Sequence, residues 1–174
     1  HIIYGNAEQL LAKLDNGEIH FALIEGYFPS HKYEQLLYYT DSFICVCAKN
    51  HTFSQKVNHI EDLLNERILV RETGSGTRDL LDSYLKTYNL SYLDFKNHLE
   101  IESISSIISL LKNDCGISFL YRLSVEEELK NGSLKEIKIQ NLPLHHDTTF
   151  LWNKNSVYSK QYKEICKELI GEYK

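Results

Sequence analysis

Ile68-Leu69-Val70-Arg71-Glu72-Thr73-Gly74-Ser75-Gly76-Thr77-Arg78 is the stretch that decides how this chain folds. Three apolar residues suit a short buried strand. The Gly/Ser/Thr run cannot continue that strand, because its glycines allow a tight bend. Leu80, Leu81, Tyr84, Leu85 and Tyr88 then recur at helical spacing. A strand that turns through glycines into a helix leaves free backbone amides at the helix start. With the helix dipole behind them, those amides attract an anion, and Ser and Thr hydroxyls add donors. The same residues also make a plain capped turn with no ligand, and the sequence leaves both readings open. The run is no P-loop, since the Gly-Lys-Ser/Thr ending is absent, and the dinucleotide pattern lacks its third glycine.

Outward from this turn the chain alternates strands and helices. His1 to Tyr4 reads as a strand. Asn6 and Gln9 form a capping box for a helix carrying Ala7, Leu10, Leu11 and Leu14. Ile19 to Ile24 is a short strand ending at Glu25-Gly26, and Leu36 to Ala48 reads as extended. Ile60 to Leu64 suits a short helix. Beyond the central turn, His98 to Ile101 is a strand, and Ile104, Ile107, Ile108 and Leu111 give a helix. Ile117 to Tyr121 is a strand. Ser124 and Glu127 suggest a capping box for a short acidic helix closed by Asn131-Gly132. Leu134 to Ile139 and Thr148 to Trp152 are strands. A final helix presents Tyr162, Ile165, Cys166, Leu169, Ile170 and Tyr173. This alternation predicts an α/β fold with mixed, mostly parallel sheets covered by helices. Two small lobes suit the strand count better than one wide sheet. Residues 1–51 and 145–174 would form the first lobe, and 52–144 the second.

Composition narrows the function classes. The 174 residues are 43% hydrophobic and 25% charged, which allows a core without disulfide or metal staples. A net charge of −5 argues against a broad basic face for nucleic acid. No apolar run reaches the length of a membrane span, and no secretory signal opens the sequence, so a cytoplasmic setting is expected. Cys45, Cys47, Cys115 and Cys166 have neither a disulfide nor a zinc spacing and read as reduced core thiols.

A second strand-to-helix junction lies at Glu102-Ser103-Ile104, where Ser103 can cap the helix and also serve a ligand. Ligands in open α/β sheets sit outside the carboxyl ends of strands. The candidate binding residues are therefore Thr73, Gly74, Ser75, Gly76, Thr77, Ser103 and Ile104, with Gly26 and Tyr121 at further strand ends. Catalytic signals are weak. The eight His include no metal-ligand spacing, no nucleophile elbow occurs, and His145-His146-Asp147 reads as a solvated loop. No catalytic residue, metal or cofactor is expected, and the chain reads as a non-enzyme.

The run from Ile68 to Arg78 resembles the effector-binding domain of LysR-type transcriptional regulators. Further landmarks follow in the order of that family. They are Leu14-Asp15-Asn16-Gly17 into Phe21 to Gly26, Val46 to His51, Glu102-Ser103 through Asn113-Asp114-Cys115-Gly116-Ile117, and Leu129 to Leu134. The resemblance covers essentially the whole chain. It implies a two-lobed fold like that of periplasmic binding proteins, with a small, often anionic effector held between the lobes. It also implies a bacterial homodimer or higher homo-oligomer that contacts DNA only through a separate N-terminal winged helix-turn-helix absent from these residues. Family domains usually begin with a strand and helix ahead of the segment matching His1 to Tyr4, so the first βα unit of the first lobe is missing here. An unpaired edge there invites association with another chain. The alternative is a solute-binding protein of a transport system, which would share the same fold physics.

Overall fold

The computed structural model describes residues 1–171. Tyr173, expected on the last helix, lies outside the described residues. The chain divides into two compact units. One comprises residues 1–40, 74–76 and 146–174, the other residues 41–73 and 77–145. Residues 41–51, which the sequence grouped with the chain's ends, fall in the second unit.

In the first unit, helix α1 (Ala7–Asp15) starts at the expected capping box. Asn6 Oδ1 accepts from the Gln9 amide at 2.9 Å, and Gln9 Oε1 accepts from the Asn6 amide at 3.2 Å. Strand β1 (Ala22–Glu25) pairs antiparallel with β7 (Leu144–Asn153), placing Leu23 opposite Phe150. Alternation along β7 sends side chains to two faces. Leu151 packs with Leu14, Ala22, Ile24 and Tyr33 under α1. Phe150 and Trp152 pack with Tyr162 and Cys166 of α5 (Ser159–Gly171). The indole Nε1 of Trp152 donates to Ser159 Oγ at 3.0 Å, so this buried ring keeps its hydrogen bond. His1 to Tyr4 does not form the expected strand. Ile2 and Tyr4 are almost fully exposed, and an apolar stretch with no described strand beside it has nothing to pair with.

The second unit is built on the far half of β2 (Tyr33–Ala48), which pairs antiparallel with β5 (Ile117–Tyr121) and β6 (Leu134–Ile137). Strand β3 (Arg67–Val70) pairs in parallel with β4 (Asn97–Glu100) and β5. The sheets are mixed, as expected, but parallel pairing is confined to β3, β4 and β5. The long strands β2 and β7 account for the antiparallel share: β1 runs against β7, and β5 and β6 run against β2. Helix α2 (Gly76–Lys86) covers one face through Leu80, Leu81, Tyr84 and Leu85, against Phe43, Cys45 and Cys47. Helix α3 (Ile104–Lys112) covers the other through Ile107 and Leu111, against Ile44 and Val46. Burial pushes the Cys47 thiol up to about 12, so it packs as a neutral side chain. All four cysteines are free thiols, and Cys115 is the one only partly buried.

Two local expectations fail. Helix α4 (Glu126–Asn131) begins at Val125 without a side-chain cap, because Arg122–Val125 is a tight 3-10 turn that absorbs Ser124. Gly132 closes α4 in the left-handed region, as expected. His145-His146-Asp147 is not a loop but the start of β7. Its polar residues are held by neighbours on β2: Thr40 Oγ1 donates to Asp147 Oδ1 at 2.6 Å. Tertiary pairing here overrides a composition that favours a loop. Among the described residues no helix is long and apolar enough to cross a membrane.

Candidate functional site

The turn after β3 divides between the units: residues 74–76 pack in the first, Thr73 and Thr77 in the second. Within the first unit Gly74 has φ +88 and Gly26 has φ +117, conformations that disfavour any side chain. Gly26 and Gly76 also approach one another closely. A Cβ built on Gly26 would lie 2.7 Å from the Gly76 Cα, and one on Gly76 would lie 1.8 Å from the Glu25 carbonyl oxygen. Both glycines are thus required by backbone packing alone. The Glu8 amide donates to the Gly74 carbonyl at 3.4 Å and steadies the turn from α1.

Thr73 is exposed, whereas Ser75 and Thr77 are buried to 3% and 4% exposure. Neither hydroxyl bonds to another described residue. Neither hydroxyl oxygen is a fully buried, unpartnered polar atom, so both keep access to solvent or a ligand at this helix start.

In the second unit Arg78 fixes the first turn of α2. Its guanidinium donates to Asp82 Oδ2 at 2.9 Å, to the Arg71 carbonyl at 2.8 Å and to Glu100 Oε2 at 3.3 Å. It lies 3.9 Å from the centre of the Tyr92 ring. Burial works against its charge, but Asp82 and Tyr92 outweigh that, so it stays protonated. The signal for this role in the sequence is an arginine four residues before an aspartate at the head of an apolar helix.

Ser103 caps α3: its Oγ accepts from the Ser106 amide at 3.2 Å and lies 2.8 Å from Ser105 Oγ. Ser103 is exposed and Ile104 half-buried. Tyr121, the remaining candidate, is buried in the core. Its ring packs on Phe43 at 5.7 Å between centroids, on the face it shares with Ile117 and Phe119. Its position on the strand, not its side chain, is what the strand-end argument located.

One charged cluster escaped sequence reasoning. His51 Nδ1 lies 2.6 Å from Asp114 Oδ1 and His51 Nε2 lies 3.4 Å from Glu66 Oε2. Its members are too far apart in sequence for any spacing rule. Among the described residues no group of His, Cys, Asp and Glu could hold a metal.

Comparison with known proteins defines the class first. The regulatory domain of CcmR from Synechocystis PCC6803, solved in complex with 2-PG, superposes with a TM-score of 0.80 at 20% identity, covering 97% of this chain and 80% of that one. A sulfate-bound regulatory domain of OxyR2 from Vibrio vulnificus gives 0.79 at 20% identity, covering 97% and 78%. The fold is thus that of such regulatory domains. Among curated proteins, the "Probable RuBisCO transcriptional regulator" of Chlorokybus atmophyticus is 27% identical over 162 residues, 91% of this chain and 52% of that protein. The chain spans about half the length of the curated relatives it matches. The family model described as the LysR substrate binding domain matches residues 1–172, and the chain belongs to that family.

Proposed function

We propose that this domain senses a small anionic effector for a DNA-binding transcriptional regulator. Ser75 and Thr77 carry the proposal, because their hydroxyls make no bond to another described residue and stand at the start of α2. Amides at that start and the helix dipole favour a negative guest. Thr73, the backbone of Gly74 and Gly76, and Ser103 and Ile104 at the head of α3 are the further donors and walls. Gly26 and Tyr121 complete the proposed set. Regulatory domains of this fold solved with 2-PG and with sulfate support a small ligand.

The effector shifts the populations of two arrangements of the domain in proportion to its different affinity for each. The regulator acts as a homodimer in the cytoplasm. It contacts DNA through a winged helix-turn-helix outside these residues, and the domain carries out no catalysis. The transporter alternative loses ground, because the curated relatives are named as transcriptional regulators. The test is calorimetric titration with inorganic sulfate, phosphate and small carboxylates. Saturable binding that Thr77→Val weakens about tenfold, roughly 1.4 kcal/mol, supports the site. Binding that Thr77→Val and Ser75→Ala both leave unchanged refutes it.

A further inference from the structure

A groove of about 490 Å³ runs across the second unit, and none of its lining residues belongs to the 73–77 turn or to α3. One bank is β6, which gives its other edge to β2. The opposite bank is the segment that follows β2, residues 51–58. The banks are tied at both ends: Lys135 Nζ donates to the His51 carbonyl at 2.7 Å, and the Gln140 amide donates to the Asn58 carbonyl at 2.7 Å. Between these ties, among the described residues, no backbone hydrogen bond joins 52–57 to 134–138. The two segments are fastened at their ends and stand apart in the middle.

The lining is apolar at the base and cationic at the rim. Phe53 and Val57 are half-buried and Ile137 is buried. Lys135 Nζ lies 5.9 Å from the centre of the Phe53 ring, and His51 packs edge-on to that ring at 4.6 Å between centroids. The nearby carboxylates are already engaged. Glu136 takes Lys138 at 2.8 Å and also Arg122. Glu66 and Asp114 both face His51. Lys135 therefore donates one hydrogen bond to a carbonyl, and among the described residues neither Lys135 nor Lys56 has a carboxylate partner. Two uncompensated ammonium groups over an apolar base are unusual on a chain of net charge −5. They match a molecule with one anionic end and a flat or short apolar body.

We propose that this groove is a second small-molecule site, taking an organic anion such as an aryl phosphate or aryl carboxylate. The anionic end meets Lys56 and Lys135, and the apolar body lies on Phe53, Val57 and Ile137. The site is independent of the one at the start of α2.

The test is a titration of the isotope-labelled chain with phenyl phosphate, followed through its amide resonances, with phenol and inorganic phosphate as the separated halves. The expected result is saturable shifts at residues 52–57 and 134–138, reached at concentrations about tenfold lower for phenyl phosphate than for either half. Lys56→Gln should weaken this binding about threefold or more. Val57→Asp, which places a negative charge on the apolar base, should abolish it while leaving the amide spectrum elsewhere folded. No saturable shift in these segments by about 10 mM phenyl phosphate overturns the proposal. So does equal binding of phosphate alone that is indifferent to Lys56→Gln, which marks an adventitious ion only. Shifts confined to 73–77 and 103–106 also overturn it and leave the effector site at α2 standing.

Discussion

The Cα of Gly76 lies only 2.7 Å from where a Cβ on Gly26 would stand, so two backbone segments meet here with no side chain between them. The contact is built from main-chain atoms, which cannot swing aside as a flexible side chain can. Gly76→Ala would bring its Cβ to 1.8 Å from the Glu25 carbonyl oxygen. It should cost more than about 2 kcal/mol in denaturant unfolding. Gly17→Ala is the control. Gly17 has φ +73 but nothing within 4 Å, so only the conformational strain of about 1 kcal/mol applies. Equal stability for Gly76→Ala and wild type would show that the segments are not in contact.

Arg78 should behave as a clamp that lysine cannot replace. A planar guanidinium serves Asp82, the Arg71 carbonyl and the Tyr92 ring together, whereas an ammonium is a compact point charge. Asp82 and Glu100 are each about half exposed, so solvent screens part of the attraction. Arg78→Lys should still cost about 1–2 kcal/mol, and Arg78→Ala about 2 kcal/mol or more, by urea denaturation. A loss below about 0.5 kcal/mol for both would mean that the cluster is ornamental.

Tyr33 and Asp15 couple stability to pH at both extremes. The Tyr33 hydroxyl donates to Asp15 Oδ1 at 2.7 Å. Burial, reinforced by that carboxylate, pushes the phenol up to about 12 from 10.0. A raised phenol holds its proton more tightly in the folded state. Its contribution is therefore complete below about pH 10 and is lost as pH climbs towards 12. The Tyr33 hydrogen bond, then Lys32, holds the Asp15 carboxyl below its ordinary value of 3.8. That contribution is present above the ordinary value and is lost as pH falls below it. Tyr33→Phe should lower stability at neutral pH by about 1 kcal/mol and make both limbs shallower. An unchanged alkaline limb would contradict this.

Much of the fold was legible because its helices keep a 3.6-residue stripe and its buried strands are short and apolar. The Asn6 box, the stripe of α2 and the short apolar run of β5 are all local patterns. What was not legible depends on distant partners. His145 to Asp147 looks like a polar loop and becomes strand only because β2 lies beside it. Nothing near His51 announces Asp114, 63 residues away. Of the candidate site, the turn at 73–77 and the Ser103 cap were legible as strand-to-helix junctions. The inward burial of Tyr121 was not, because the residue closing a strand can point to either face.

Ser75 and Thr77 should affect binding far more than stability. Each residue is buried, and its hydroxyl makes no bond to another described residue. Removing it breaks no hydrogen bond to a described residue, so Thr77→Val and Ser75→Ala should change stability by less than about 1 kcal/mol without ligand. The stabilisation that added sulfate gives to the wild type should shrink in both variants. Losses above about 1 kcal/mol without ligand would show that these hydroxyls already have partners.

Ser103 separates capping from ligand binding. Ser103→Ala removes the acceptor for the Ser106 amide and should cost about 1 kcal/mol of stability. Ser103→Asp keeps a capping oxygen and adds a negative charge. Its stability should match wild type within about 0.5 kcal/mol, while an anion at the head of α3 should be repelled. Anion binding that survives Ser103→Asp would remove Ser103 from the site and leave it as a cap.

The most direct measurement is a calorimetric comparison of wild type and Thr77→Val titrated with inorganic sulfate at fixed ionic strength. Saturable binding to wild type and about tenfold weaker binding to a variant of similar stability are expected. Identical binding isotherms for the two proteins, or no sulfate binding to wild type, would contradict the proposed site.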